Sequence, residues 1–168
     1  MNRRGKRTAR LAMALGLLVL GGSGIVLWSL GQEYWHIWRL RASEETTRRE
    51  AAAWLAQNGS ERALPDLFER LDELYEPVDF DFDGGALHFE LFEPDPTDLA
   101  HGSEVVCVLE AILRTRGAAV PGLESRLRSR APVMRLVASA ALQRLGDAAA
   151  PAVPALIEAL DDKSHNVR

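Results

Sequence analysis

Three copies of one pattern occur along this chain, and the repetition constrains its fold more than any other feature. Each copy has a segment rich in apolar and small residues that ends at a glycine, then a short link, then a segment that opens with Ala-Leu-Pro or Ala-Val-Pro. The glycines are Gly59, Gly117 and Gly146. Self-similarity of this kind is typical of a protein built from stacked structural units, each too small to fold alone.

Each copy is predicted to form two helices. In the middle copy Val106, Leu109, Ile112 and Leu113 lie on one stripe of a helix. A glycine after such a stripe is typical of the left-handed residue that ends a helix. The prolines fall in the first turn of the following helix, where a missing N–H is least costly. These prolines are Pro65, Pro121 and Pro154.

The copies resemble HEAT repeats, in the short form named for phycobilisome-lyase-like proteins. The resemblance rests on an arginine near the start of the first helix, small residues within it, Leu-Gly at its end, and Ala-Val-Pro-x-Leu opening the second helix. The third copy, Arg135 to Leu160, carries nearly all of these residues. The first copy has Asn58 in place of the leucine, and the second has Val106 in place of the arginine and Arg116 in place of the leucine.

The repeats and their interruptions divide the chain into predicted segments. They are a basic cytoplasmic tail (1–10), a transmembrane signal-anchor (11–31), a juxtamembrane helix (32–43), a first HEAT-like repeat (44–75), a β-hairpin insertion and loop (76–102), a second repeat (103–131), a third repeat (132–163) and the start of an unfinished repeat (164–168). The predicted fold class is all-α: a short α-solenoid of HEAT-like helical hairpins with an inserted β-hairpin, preceded by one transmembrane helix.

A charge-free stretch from Leu11 to Leu30 predicts a membrane-spanning helix. Five basic residues precede it, so the positive-inside rule places the N-terminus in the cytoplasm and the C-terminal body outside it. A cleaved signal peptide is the alternative, because a basic region also precedes Leu11–Leu20, although no Ala-x-Ala site ends the run. The predicted location is the cell membrane, with a single pass.

Aromatic residues gather at the far end of this stretch, as at a membrane interface. They are Trp28, Tyr34, Trp35 and Trp38, and His36 is expected among them. The helix is expected to continue to Ala42. Ser43 is the predicted N-cap of the first repeat helix, followed by an acidic first turn.

The body of the chain is acidic. Of 20 basic residues, five precede the apolar stretch, which leaves 15 basic against 24 acidic residues and a formal balance of −9. Nucleic-acid binding needs a basic patch or stripe, so the charge argues against a nucleic-acid partner. Cys107 is the single cysteine, which excludes an internal disulfide and predicts a buried free thiol.

The segment between the first and second copies does not fit the repeat. Val78–Phe82 and Leu87–Leu91 alternate apolar with polar residues, and Asp83-Gly84-Gly85 lies between them. The alternation predicts two half-buried strands, and the Asp-Gly-Gly sequence predicts a hairpin turn.

The same residues also match the ligand positions of a calcium-binding EF-hand loop. The candidate ligands are Asp79, Asp81, Asp83 and Glu90. An EF-hand requires a helix on each side, whereas Pro77 precedes this stretch and Pro94 follows it closely. The sequence therefore favours a hairpin without a specific ion, and calcium is the alternative cofactor.

No catalytic motif is found: the chain has no His-Glu-x-x-His zinc motif, phosphate-binding loop or Gly-x-Ser-x-Gly nucleophile turn. We expect a membrane-anchored scaffold that binds a protein partner and has no catalysis of its own. The alternatives are an accessory or lyase-type enzyme subunit that binds a ligand in the concavity of the solenoid, or a truncated gene product.

The C-terminal residues predict a site for such a partner. Ser164 is positioned as the N-cap of a helix, and Val167-Arg168 match the entry that Met134-Arg135 gives the third copy. No polar capping helix follows, and terminal repeats normally need one. Either the native protein is longer, or another chain covers this face. We expect three apolar residues of the last helix, Leu156, Ile157 and Leu160, to line a self-association surface or a partner site.

Overall fold

A computed structural model describes residues 28–75, 103–165 and 167–168 of the chain. The chain divides into two compact units, Met1–Trp35 and His36–Arg168. In the first unit residues 28–35 are helical, and Trp28, Tyr34 and Trp35 are exposed. No helix within the described residues is both long and apolar enough to cross a membrane. Most of the predicted span, residues 11–27, lies outside the described part.

The second unit contains six α-helices in its described part. They are α1 (Glu45–Asn58), α2 (Leu64–Tyr75), α3 (Glu104–Arg114), α4 (Val120–Leu127), α5 (Pro132–Leu145) and α6 (Val153–Ala159). A short 3₁₀ turn joins the two helices of each pair: Glu61–Ala63, Arg116–Ala119 and Gly146–Ala152. The predicted all-α helical repeat is confirmed for the described ranges, which contain no strand. The predicted hairpin, Val78–Leu91, lies outside them.

The proline prediction is confirmed. Pro65, Pro121 and Pro154 each occupy the second position of a helix, in α2, α4 and α6. There the fixed φ of proline suits the helix and its missing N–H leaves no hydrogen bond unmade. The same proline therefore opens the second helix of every pair.

The glycine prediction is confirmed in two copies and wrong in the third. Gly59 and Gly146 have positive φ values of 72° and 55°, but in the middle copy the left-handed residue is Arg116, with a φ of 53°. The reason lies at the end of α3. Thr115 donates from its backbone N–H (3.1 Å) and its hydroxyl (2.8 Å) to the carbonyl of Ile112, so the chain reverses one residue before Gly117.

The helix before α1 ends earlier than the sequence indicated. Helical residues run from 28 to 39, not to Ala42. Leu40, which is 2% exposed, lies in the turn that follows and packs in the core. The N-cap of α1 is Glu44 and not Ser43, and its carboxylate accepts hydrogen bonds from the hydroxyls of Thr46 and Thr47.

The closest helix pairs belong to successive repeats. Backbone approaches are most extensive between α1 and α3, then between α4 and α5 and between α2 and α3. Small buried residues on α1 and α5, including Ala51, Ala52, Ala138 and Ala141, permit close packing of the backbones. Each repeat therefore completes its core with its neighbour, as stacked repeats do.

Candidate interaction surfaces

Two equivalent arginines hold the links that precede the first helices of the first and third repeats. Nη1 of Arg48 donates to the carbonyls of Ala42 (2.9 Å) and Ser43 (2.8 Å). Nη1 of Arg135 donates to the carbonyls of Ser129 (3.0 Å) and Arg130 (3.1 Å). These hydrogen bonds satisfy backbone carbonyl groups that lie outside the helices and lack a partner in regular secondary structure. The arginine of the repeat pattern is thus structural in both copies.

Each of these arginines also binds a carboxylate farther along the chain. Arg48 donates from Nε and Nη2 to both oxygens of Glu104, at 2.9 and 3.1 Å. Arg70 of α2 donates to the same two oxygens, at 2.6 and 3.1 Å. Arg135 makes the corresponding two-pronged pair with Asp162. Planar guanidinium–carboxylate pairs of this type are among the stronger polar contacts in proteins.

Glu104 is the most buried of these charges, at 4% exposure. Burial raises the pKa of its carboxyl group, but the hydrogen bonds from Arg48 and Arg70 outweigh it and the pKa falls below its ordinary value. Glu104 therefore remains ionised and joins α1, α2 and α3 across the insertion. Sequence reasoning missed it, because Arg48 and Glu104 lie 56 residues apart and no repeated residue marks the acid.

A second tight contact joins the second helices of the first two repeats. The guanidinium carbon of Arg126 lies 4.2 Å from the centre of the Phe68 ring, and Nε of Arg126 donates to Asp72 at 2.9 Å. Gly122 permits this approach, since a Cβ there would lie 2.2 Å from Cε2 of Phe68. The glycine in α4 is therefore required by packing.

The last helix exposes apolar side chains on one face. Val153 is 47% exposed, and Ile157 and Leu160 are each 60% exposed. Of the residues predicted from sequence, Ile157 and Leu160 are on this surface, whereas Leu156 is partly buried against the core. Val153, for which the sequence made no prediction, is the third exposed apolar residue on this surface. We call Val153, Ile157 and Leu160 the α6 face.

The chain after α6 forms turns in its described residues. The backbone N–H of Ser164 donates to Asp162 at 2.7 Å, and that of Val167 donates to the carbonyl of Ser164 at 3.1 Å. Val167 is buried. The helix start predicted at Ser164 is not formed; Ser164 belongs to a turn held by Asp162.

A groove of about 680 Å³ runs along the opposite end of the first helices from their N-terminal links. Its lining comes from all three repeats: Ala56, Gln57, Glu110, Leu113, Arg114, Arg116, Arg144, Leu145, Asp147 and Ala148. Arg144 forms a short ion pair with Glu110. The groove is therefore polar and rich in guanidinium groups, and no sequence motif indicated it.

The predicted metal ligands lie elsewhere. Asp79, Asp81, Asp83 and Glu90 are outside the described residues, so the choice between a hairpin and a calcium loop stays a prediction. Within the ranges that the structure does describe, no group of three His, Cys, Asp or Glu side chains could hold a metal ion. Cys107 is a buried thiol that forms no disulfide, as predicted, and burial raises its pKa.

His36 differs from the expectation that placed it among interfacial aromatics. It is 6% exposed and its ring stacks on Trp54 of α1, with the ring centres 4.3 Å apart and an angle of 8° between the planes. Burial lowers the pKa of His36, and the positive charge of Arg39 lowers it further. The ring is therefore part of the core of the second unit.

Comparison with family models shows a match in two segments. Residues 47–73, which fall in α1 and α2, and residues 134–162, which include most of α5 and all of α6, match the PBS lyase HEAT-like repeat. The chain thus carries HEAT-like repeats of the PBS lyase type in its first and third helix pairs. Comparisons with curated proteins and with solved structures gave no match.

Proposed function

We propose that this chain is a membrane-anchored HEAT-repeat scaffold that binds a helix of a protein partner on the α6 face and has no catalysis of its own. The observation that carries the proposal is the exposure of Ile157 and Leu160 at positions that are apolar and buried in α2, and for Leu160 also in α4. Stacked helical repeats commonly present such surfaces to other proteins.

The prolines that open α2, α4 and α6 align these helices. Counted from them, Ile157 corresponds to Phe68 of α2, and Leu160 corresponds to Leu71 of α2 and Leu127 of α4. Phe68, Leu71 and Leu127 are at most 8% exposed, whereas Ile157 and Leu160 are each 60% exposed. In α4 the counterpart of Ile157 is Glu124, a partly exposed acidic residue. At the other positions compared, the side chain is apolar in every helix, buried in α2 and α4, and exposed only on α6.

What buries these positions in α2 and α4 is the next repeat. α3 packs on α2, and α5 packs on α4. Within the described residues no helix follows α6. A partner helix with an apolar stripe would fill the place that α3 and α5 fill in the earlier repeats, because it would meet the same side-chain pattern.

The membrane anchor rests on the sequence. The charge-free stretch Leu11–Leu30 lies behind five basic residues, and exposed Trp28 and Trp35 lie near its end. We propose a single span with the body outside the cytoplasm. Protease added to spheroplasts should digest the part of the chain that follows the span, because that part would lie outside the cytoplasm. Protection of the body until the membrane is lysed would reverse the orientation.

Photo-crosslinking tests the partner site. A benzoylphenylalanine placed at Ile157 of the full chain, in its native membrane, should crosslink to a defined protein, and the Leu160→Lys substitution should abolish the product. The same probe at Gln143, an exposed residue of α5, is the control and should give no such product. Equal crosslinking from both positions, or none from Ile157, would overturn the proposal. Crosslinks only between copies of this chain would identify the surface as one for self-association.

A ligand-binding role would give a different result. An accessory or lyase-type subunit should copurify with a small molecule, which absorbance and mass spectrometry of the purified full chain would detect. A stoichiometric small molecule together with no crosslinked protein at Ile157 would favour that role over the scaffold.

A further inference from the structure

The groove between the repeats has a repeated architecture of its own. In each repeat a long polar residue lies two positions before the residue with positive φ. It is Gln57 before Gly59, Arg114 before Arg116, and Arg144 before Gly146. All three of these side chains line the groove. The stacking of repeats therefore places one long polar side chain from each first helix along the same wall.

Two guanidinium groups in this groove have no ion-pair or hydrogen-bond partner among the residues that the structure describes. Arg144 is paired with Glu110. Arg114 and Arg116 are exposed and make no ion pair or side-chain hydrogen bond with any residue in the described ranges. Most other arginines of the second unit that are packed against helices, such as Arg48 and Arg126, are paired with carboxylates. Arg114 and Arg116 therefore line the groove with guanidinium groups that are unpaired within the described ranges.

The backbone at Arg116 adds independent support. It is the one non-glycine residue with a positive φ in the described ranges, and the equivalent residues of the other two repeats are glycines. A left-handed conformation is unfavourable for a residue with a Cβ. Backbone outliers of this kind cluster at functional sites, and Arg116 makes no ion pair or side-chain hydrogen bond within the described residues.

We propose that this groove binds an acidic peptide segment, with carboxylates held by Arg114 and Arg116. The inference rests on the proposed function, since the peptide would belong to the protein partner, and it names the chemistry by which that partner is recognised. Guanidinium groups bind carboxylates through two parallel hydrogen bonds. Glu110 and Arg144 already form a guanidinium–carboxylate pair in the groove, through a single hydrogen bond from Nη2 of Arg144 to Oε1 of Glu110.

A nucleic acid fits the groove less well. Glu110 and Asp147 line it alongside the arginines, and the chain after residue 10 has a formal charge of −9. Both carboxylates repel any anionic ligand, so the groove suits a segment with few negative charges better than a polyphosphate backbone, which carries a charge on every nucleotide. The guanidinium groups of Arg114 and Arg116 can each bind one carboxylate of such a segment.

Binding of a defined peptide to the full chain in detergent micelles tests the inference. A fluorescein-labelled hexaglutamate should bind saturably by anisotropy, while the matched hexaglutamine should not. Arg114→Gln and Arg116→Gly should each weaken binding by about tenfold or more, because each removes a charged hydrogen-bonding partner. Arg130→Gln is the control: it removes one exposed arginine from the opposite end of the first helices and should leave the affinity unchanged.

Arg116→Gly gives a readout that a merely structural arginine would not give. The glycine should raise the melting temperature, since it relieves the left-handed strain, while it weakens peptide binding. No saturable binding by the wild-type chain, equal binding of hexaglutamine, or unchanged affinity in both variants would overturn the inference. So would tighter binding of a single-stranded oligonucleotide at the same arginines. In each of these cases, a protein crosslinked at Ile157 would still support the scaffold proposal. Peptide binding without that crosslink would instead contradict only the proposal that the α6 face binds the partner.

Discussion

Arg135 and Asp162 hold the two ends of the third repeat together, with Nε and Nη2 of the arginine donating to the two carboxylate oxygens at 2.7 and 2.8 Å. The hydrogen bond from Arg135 lowers the pKa of Asp162 and outweighs the opposing effect of burial. The same arginine holds the link before α5. One side chain therefore fixes both the entry to the repeat and the turn that follows α6.

Asp162→Asn should destabilise the second unit by about 1–3 kcal/mol, because it removes a charged two-pronged pair and leaves a partly buried guanidinium unmatched. Asp161→Asn is the control, since Asp161 is exposed and lies one residue away. Urea denaturation followed by circular dichroism measures both. Equal midpoints for the two variants would contradict the structural role of the pair.

Glu104 makes the stability of the second unit sensitive to acid. Burial alone would raise its pKa, but Arg48 and Arg70 together hold it below its ordinary value of 4.5. A lowered folded-state pKa contributes stability that is present above the unfolded-state value and is lost as pH falls through the folded-state value. The free energy of unfolding should therefore begin to drop below about pH 4.5 and continue to drop on further acidification.

Glu104→Gln should remove the contribution of this carboxyl group to the acid dependence and cost about 3–5 kcal/mol at neutral pH, because the partly buried Arg48 and Arg70 lose their shared counter-charge. Glu45→Gln, an exposed substitution in the first turn of α1, is the control. Denaturant titrations at pH 7 and pH 4 separate the two variants. A Glu104→Gln chain as stable as the control at pH 7 would show that the pairing is dispensable.

His36 should give a separate pH dependence closer to neutrality. Burial, and to a smaller extent the positive charge of Arg39, lowers the pKa of His36 below 6.5. As the pH falls, the unfolded chain therefore binds a proton at a higher pH than the folded chain does. Stability should therefore decline as pH falls through 6.5, and His36→Phe, which keeps a ring against Trp54, should abolish that decline. His165→Gln should leave it in place. A wild-type stability that is level between pH 7.5 and 5.5 would contradict a buried neutral His36.

Local backbone chemistry is what the sequence predicted well. Pro65, Pro121 and Pro154 restrict φ wherever they occur, and Gly59 and Gly146 end helices that an apolar stripe had marked, so short patterns were enough to place them. The hairpin pairs and their stacking followed from the repeat.

Contacts between distant segments could not be obtained in this way. Glu104 meets Arg48 and Arg70 only after the repeats stack, and neither partner lies near it in sequence. Arg116 took the position expected for Gly117 because the last turn of α3 closes at Thr115. Leu156 is partly buried and Val153 is exposed because the rotation of α6 about its axis is set by packing on α4.

Gly122 offers a test of the contact between α2 and α4. Gly122→Ala would place a methyl group against the Phe68 ring, which Arg126 covers, and should cost about 1–3 kcal/mol. Gly117→Ala should be neutral or slightly stabilising, since nothing lies within 4 Å of a Cβ there and its φ is not positive. Thermal melts of the two alanine variants compare them directly. An equal effect at both glycines would mean that Phe68 yields without cost.

The size of the native complex tests the proposed role of the α6 face most directly. Full-length wild-type chain and Ile157→Lys are extracted from membranes in the same mild detergent and measured by mass photometry, with Gln143→Lys as the matched control. We expect the wild type and Gln143→Lys to be found in a complex larger than the single chain, and Ile157→Lys to be released from it with an unchanged melting temperature. An Ile157→Lys chain that remains in a complex of wild-type size would contradict the claim that this face holds the partner.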